Sequence, residues 1–464
     1  MGMSDRTNLS DAARQIFTHA LKAVDANTSV RNAIRVDDSR LVIGDTTFDL
    51  GSGSSEIFAV AVGKAAFQMA MALDAILGSR LTCGVVSGTI PNCRDDEAPP
   101  ISSTLAKRWR VFRGSHPLPT EESLAAASAS FELLKRANKR GALVIFLISG
   151  GGSAMIEWPS DEQMTLADLR LANHRLVTCG ATIAEINAVR RAFSEVKGGG
   201  LSRRAPLADQ ISLIVSDTAR GEEWNVASGP TLRSPSGAPD ARSVVESYGL
   251  TSQLPESIRR AIERGTRKKD NQSQAGIRRH YVLLDNERVI EEAAAAARAR
   301  DFKVEIARDI TEQEVTEGCH LLLTRLKELR RLAGREGTVC LISGGEFKCP
   351  VRGAGVGGRN AESALRWAIA LDASLDHSGA STTLPRVVAL SAGTDGIDGN
   401  SSAAGALADE LTLSRARLIG LDAQASLEAS DAYTFFAALG ETLMTGATGT
   451  NVRDLRVLLA SGEV

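Results

Sequence analysis

Leu143-Val144-Ile145-Phe146-Leu147-Ile148-Ser149-Gly150-Gly151-Gly152-Ser153-Ala154 carries six apolar residues straight into three glycines flanked by serines. A continuous apolar run that ends in a turn predicts a strand buried on both faces. The glycines allow left-handed dihedrals and close approach of a ligand to the main chain. A strand that feeds such a turn and then a helix makes an anion cradle from backbone amides. The pentapeptide LISGG recurs at residues 341–345, again closing an apolar run. Two such turns in one chain predict an enzyme that binds a phosphorylated ligand in a cleft between two α/β units. The plain alternative is a pair of ordinary tight strand-to-helix turns.

Outward from this stretch the same pattern repeats. Residues 57–62 form an apolar run that ends in Gly63-Lys64 and passes into an alanine-rich helical stretch. Similar runs at 84–87, 110–112 and 211–215, with helical patterns between them, predict a mostly parallel sheet covered on both faces. Upstream, Ala13, Ile16, Phe17, Ala20, Leu21 and Val24 fall on one helical face with Ser10 as N-cap, and residues 33–50 read as a hairpin. The opening helix is expected to pack on the first domain. Pro235, Pro239 and Pro255, followed by the charged stretch RGTRKKDNQSQAG, mark a boundary. A second alternation follows, with strands at 281–284, 304–307, 339–342 and 387–390 and helices at 288–300 and about 315–334. The expected fold class is α/β in two domains. A Rossmann-like parallel-sheet N-terminal domain spans 1–235, a linker 236–279 and a smaller α/β C-terminal domain 280–464. Residues 430–464 have two homes open to them, the second domain or the first.

At 464 residues the chain is long for a single core. Its 43% apolar and 24% charged content is that of a globular protein. A net charge of −2, with 54 Lys and Arg spread along the chain, offers no basic footprint for nucleic acid. No stretch approaches the roughly 20 apolar residues of a membrane span, and the polar start lacks a secretory apolar region, so a cytoplasmic protein with no membrane partner is expected. The six cysteines include no CxxC pair, which leaves structural zinc and a disulfide framework without support.

Ligands of open α/β sheets bind at the carboxyl ends of strands. The residues there are Gly63-Lys64, Ser149 to Ser153, Ser216-Asp217, Ser343 to Glu346 and Gly393 to Gly399, the materials for holding phosphates and Mg²⁺. Lys64 can meet phosphoryl oxygens as a point charge; its other reading is a solvated residue in a helix first turn. Asp217 and Asp395 end different strands and suit Mg²⁺, or else cap helices. Arg359, in GVGGRNAE at 355–362, suits a bidentate grip on phosphate or carboxylate, or a place on the surface. His116, in GSHPLP, is a base or substrate ligand, or a ring fixed by its turn. GAGVGG at 353–358 satisfies GxGxxG but follows CPVR and lacks an acidic residue at a second strand end about 20 residues on, which makes it a weak dinucleotide fingerprint. There is no GxxxxGK[ST], and no nucleophile elbow supports a hydrolase.

Taken in order, GKAA (63–66), GSHPLP (114–119), SGGGSA (149–154), VKGGGL (196–201), SDTARGEEWNVASGPT (216–231), SGGE (343–346), GVGGRNAE, GTDGIDG with AAGA (393–406) and TGATGTNVRDL (445–455) resemble the class II glycerate kinases, whose C-terminal end is a MOFRL domain. The resemblance covers nearly the whole chain. It implies ATP- and Mg²⁺-dependent phosphorylation of D-glycerate, usually to 2-phosphoglycerate, between a Rossmann-like domain and the MOFRL domain. Lys64 matches the family's phosphate-facing lysine, and Arg359, Asn360 and Glu362 match its GGRNxE segment. Ser149, Gly150, Gly151, Gly152, Ser153, Ser343, Gly344 and Gly345 of the glycine turns, with Asn360 and Glu362, are expected to hold nucleotide phosphates, and His116, Lys197 and Ser228 to face the substrate. The implied partners are ATP and a small hydroxy acid, and self-association into a homo-oligomer stays open. The chain departs from the family at Gly221-Glu222-Glu223, at Ala361 for a usual glutamine and at Gly200 for a frequent arginine. Two other readings remain: an NAD(P)-dependent hydroxypyruvate reductase and a non-catalytic, metabolite-sensing relative.

Overall fold

The computed structural model describes residues 3–50, 56–89, 105–265, 276–334, 337–373 and 386–461. The chain forms two compact units, one of residues Ala26–Leu284 and one of Met1–Asp25 with Asp285–Val464.

In the first unit, β1 (Ile34–Val36), β2 (Arg40–Ile43) and β3 (Thr46–Asp49) make a small antiparallel sheet that extends the expected hairpin by a strand. The main sheet contains β4 (Ile57–Val62), β5 (Leu81–Gly88), β6 (Trp109–Arg113), β7 (Leu143–Ser149), β8 (Asp209–Val215) and β9 (Arg278–Leu284). All neighbours are parallel, in the order β6-β5-β4-β7-β8-β9. Counted within this sheet, that is the doubly wound order 3-2-1-4-5-6 of Rossmann sheets. Every residue of β4 and of β7 is buried, as apolar runs in a sheet covered on both faces must be. Phe58, Val60, Phe146 and Ile148 share one core with Ala126, Leu133, Leu134 and Ala137 of the helix Glu121–Arg140.

The boundary falls later than the sequence suggests. Residues 281–284 were expected to open the second unit, but they belong to β9, the edge strand of the first sheet, where Leu284 pairs with Val215. The expected linker contains the helices Ala241–Ser247 and Glu256–Arg264, whose Val244, Val245, Ile258 and Ile262 pack with Leu169, Leu176, Ile186 and Val189. Residues 266–275 of that stretch lie outside the described residues.

The second unit is built on a mixed sheet of β10 (Lys303–Ile306), β11 (Thr338–Ser343), β12 (Arg386–Gly393), β13 (Gly405–Asp409), β14 (Thr442–Leu443) and β15 (Asp454–Ser461). Its order is β10-β11-β15-β12-β13-β14. The final segment therefore stays with the second unit, because β15 runs antiparallel between β11 and β12. The opening helix, Met3–Ala23, also belongs here rather than on the first unit. It buries Ala13, Ile16, Phe17 and Ala20, packs on the helix Asn286–Arg298 and on β12 and β15, and pairs Arg14 with Glu441 at 3.0 Å. No helix among the described residues is long and apolar enough to cross a membrane.

Candidate active site

In a doubly wound sheet the ligand crevice opens where the strand order reverses, which here is the carboxyl end of β4 and β7. The two turns leaving these strands interlock. The Lys64 N–H donates to the Gly150 carbonyl at 2.9 Å, and the Ala65 N–H donates to Ser149 Oγ at 3.0 Å. Gly63 has φ of +120°, and a Cβ there would fall 2.3 Å from the Ser149 carbonyl oxygen, so the interlock admits glycine alone. Ser149, expected to touch phosphate, instead spends its buried hydroxyl clamping the two turns.

The next three glycines border the residues that carry charge. A Cβ on Gly150 would lie 2.0 Å from Asp217 Oδ2, so the missing side chain lets the aspartate after β8 lean over the turn. From the place of a Cβ on Gly151, Lys64 Cγ is 3.1 Å away and His116 Cδ2 is 3.5 Å away. Lys64 and Asp217 are half-buried and His116 is exposed. The structure thus gathers Lys64, His116 and Asp217 around one glycine turn. Ser153 joins through a 2.7 Å contact with the Ser228 hydroxyl, which donates to Asn187 Oδ1 at 2.8 Å. Ala227 and Ser228 both adopt left-handed backbone, with φ of 51° and 61°. Such residues cost of order 1–3 kcal/mol each and persist where their surroundings hold them. Asn187 does so, since its amide also donates to the Asn225 carbonyl at 3.2 Å.

Lys197 does not face this site. Its ammonium is drawn inside onto Glu157, both side chains being 1% exposed, and the Ser194 hydroxyl donates to the same carboxylate. Burial pushes the Lys197 ammonium below its usual range and the charge of Glu157 pulls it back up. The expected substrate contact is therefore a closed internal pair.

In the second unit, the second LISGG turn is closed by protein. The Ser343 hydroxyl donates to the Ile310 carbonyl at 2.6 Å, the Gly345 N–H donates to Asn286 Oδ1 at 2.7 Å, and Arg456 donates to the Gly344 carbonyl. A Cβ on Gly344 would sit 2.0 Å from Asn286 Oδ1. The amide and hydroxyl expected to hold phosphate are thus already engaged. Glu362 is likewise committed, receiving Arg352 at 3.0 Å and Arg366 at 2.6 Å while 3% exposed. Arg359, which opens the helix Arg359–Asp372, donates from Nε and Nη2 to the fully buried Asp454 at 2.6 and 2.9 Å. Its Nη1 meets Glu346 at 2.9 Å. Asn360 spends its amide on Asp398 and Asp454 and receives the Ser391 hydroxyl at 2.6 Å. Asp395 is half-buried and accepts from the Ile397 N–H at 3.2 Å.

Asp398 caps the helix Arg359–Asp372, accepting from the N–H groups of Asn360 at 3.0 Å and Ala361 at 2.8 Å. Burial pushes its carboxyl up to about 6 against that pull. A folded value above the unfolded 3.8 means that this group's contribution to stability is present below pH 3.8 and is lost as pH rises through about 6. Asp398→Asn is expected to remove that term, worth at most about 1.4 kcal/mol per pH unit. Denaturation midpoints measured across this window should fall less steeply with pH in the variant than in the parent; equal slopes would refute the assignment.

Asp398, Asp454 and Asn286 were not singled out from sequence. An acid just ahead of the apolar run of residues 457–460 is the available signal for Asp454. The GAGVGG loop is no dinucleotide cradle, because Gly355, Val356 and Gly357 donate their N–H groups to Ala429, Asp431 and Asn400. Among the described residues no three His, Cys, Asp or Glu form a metal cluster, and Cys83, Cys179, Cys319, Cys340 and Cys349 are free thiols. Cys93 lies outside the described residues.

Residues 12–263 match the model of a domain of unknown function, DUF4147, and residues 339–454 match the MOFRL family. A glycerate 2-kinase of Pyrococcus horikoshii is 31% identical over 462 residues, 98% of either chain. A relative from Agrobacterium vitis that bears a hydroxypyruvate reductase name is 36% identical over 86% of each chain. The crystal structure of a glycerate kinase from Thermotoga maritima superposes with a TM-score of 0.77 at 31% identity, covering 97% of this chain and 99% of that one.

Proposed function

The chain belongs to the glycerate kinase family built from DUF4147 and MOFRL domains and is a kinase, and from that premise we propose that it transfers the terminal phosphoryl group of ATP to D-glycerate, giving 2-phosphoglycerate, with Mg²⁺. One observation carries the reading: the switch point of a Rossmann-order sheet brings Lys64 and Asp217 against the Gly150–Gly152 turn. Phosphoryl transfer asks the protein for positioning and charge stabilisation more than for covalent chemistry. The substrate hydroxyl oxygen bonds to the γ-phosphorus as the bond to the ADP oxygen breaks, and the hydroxyl proton leaves to water. Negative charge grows on the oxygens in transit, and the compact ammonium of Lys64 neutralises it. Within the second unit, Arg359 keeps one guanidinium edge on Asp454 and meets with Nη1 the half-exposed carboxylate of Glu346, the partner it would exchange for a phosphate oxygen.

Mg²⁺ at phosphoryl-transfer sites keeps several waters and takes one or two carboxylates together with the substrate phosphates. Asp217 fits that part, being half-buried beside the glycine turn, and Asp395 is the corresponding acid of the second unit. Held by Asp217, the ion would supply counter-charge to the phosphates. ADP release with D-glycerate, measured against Mg²⁺ concentration, should shift at least the roughly tenfold that outer-shell partners of a metal cost in Asp217→Asn and Asp395→Asn. Parental titration curves in both variants would make these residues caps. The ³¹P spectrum of the product distinguishes 2- from 3-phosphoglycerate. The reductase reading finds no support in the GAGVGG loop, whose amides are already engaged by protein.

A further inference from the structure

Arg191 and Asn225 of the first unit form the least satisfied polar pair near the glycine turn. Arg191 is 7% exposed, and its guanidinium donates to neutral acceptors: the Ser228 carbonyl at 3.3 Å, the Trp224 carbonyl at 3.4 Å and Asn225 Oδ1 at 2.6 Å. The Trp224 ring covers it, 4.5 Å from centroid to guanidinium carbon. No carboxylate among the described residues lies within ion-pair distance of it; of the other buried cations, Lys197 and Arg456 have Glu157 and Asp454, and Arg330 is held by the Gly334 and Gly337 carbonyls. Two buried donors are left without a partner, Arg191 Nη1 and Asn225 Nδ2. They belong to groups joined by one hydrogen bond, so they lie close together.

A buried cation without a counter-charge, beside an orphaned amide donor, is costly unless something brings acceptors to both. A planar group with two oxygens and one negative charge matches a guanidinium edge and an amide N–H together. Arg191 is tied through Ser228 to Ser153 and hence to the turn that borders Lys64. We propose that Arg191 Nη1 and Asn225 Nδ2 bind the carboxylate of the hydroxy-acid substrate, with Trp224 as the cover that excludes water from the pair. This rests on the reading of the chain as a kinase of a small hydroxy acid. It makes Trp224 and Asn225, which directly follow Gly221-Glu222-Glu223, the determinant of which acid is accepted.

The test is calorimetric titration of the full-length protein with D-glycerate, glycolate, hydroxypyruvate and the neutral amide of D-glycerate. Asn225→Asp keeps the acceptor for Arg191 and replaces the free donor with a carboxylate oxygen. It should weaken D-glycerate at least 100-fold and change affinity for the amide less than threefold. Arg191→Gln should weaken D-glycerate by a similar factor, and Asn225→Asp stands in for it if loss of the two backbone contacts prevents folding. Affinity for D-glycerate within threefold of the parent in a folded variant overturns the assignment, and so does a parent that binds none of the acids. If the parent phosphorylates D-glycerate while the variants bind it normally, the subsite fails and the kinase reading stands. If the parent binds glycolate or hydroxypyruvate but not D-glycerate, and the variants lose that binding, the subsite stands and the choice of substrate fails.

Discussion

Lys64→Met is expected to lower kcat for D-glycerate phosphorylation roughly 10²- to 10³-fold, about 3 to 4 kcal/mol, as loss of one preorganised electrostatic donor does. The lysine leaves β4 at the switch point, its backbone is pinned by the 2.9 Å bond to Gly150, and its stem lies against Gly151. Methionine preserves the stem's packing and deletes the charge. The KM for D-glycerate should change little, because the ammonium acts on charge that develops as the phosphoryl group moves. Lys64→Arg should rescue partly, since a planar head cannot occupy the place of a compact ammonium. A folded Lys64→Met protein with near-parental kcat would pass the principal phosphoryl contact to Arg359.

Asp454→Ala is expected to destabilise the second unit by about 3 to 5 kcal/mol, the usual cost of removing one partner from a buried ion pair. Asp454 is fully buried, holds Arg359 by two bonds and Asn360 by a third at 3.0 Å, and lies 3.4 Å from the buried Arg456. Burial alone would raise its carboxyl, yet the charges of Arg359 and Arg456 outweigh that and hold it below the usual range. Alanine leaves the Arg456 cation without its carboxylate in the interior. Hydrogen exchange of the amides in β11, β15 and β12 should record the loss as roughly 10²- to 10⁴-fold faster opening. A loss under about 1 kcal/mol would mean that water or Glu346 takes over the carboxylate's part.

What the sequence reveals is set by how local the determining interactions are. β4 and β7 are legible because strands covered on both faces must be apolar throughout, and the switch-point turn is legible because its glycines fill φ values and spaces that no side chain can. The two LISGG copies show the limit. They share five residues, yet the second turn is closed by Asn286, 59 positions from Gly345, while the first interlocks with the Gly63-Lys64 turn and borders Asp217. The opening helix is readable from its period, but an apolar stripe does not say which sheet covers it, and it packs on β12 and β15. The prolines at 235, 239 and 255 and the charged stretch after them read as a boundary, yet β9 beyond them completes the first sheet. Arg191 carried no signal, since an arginine in a helix reads as surface until the segment 224–228 folds over it. Lys197 misled for the same reason: its partner Glu157 is 40 residues away.

The most direct test of the account is simultaneous measurement of ADP formation and of NADH and NADPH consumption by the purified full-length protein, supplied with Mg²⁺ and ATP and either D-glycerate or hydroxypyruvate. The account predicts one ADP per D-glycerate consumed, abolished by chelation of the metal, with no nicotinamide oxidised on hydroxypyruvate. Nicotinamide oxidation on hydroxypyruvate without ADP formation on D-glycerate would contradict it.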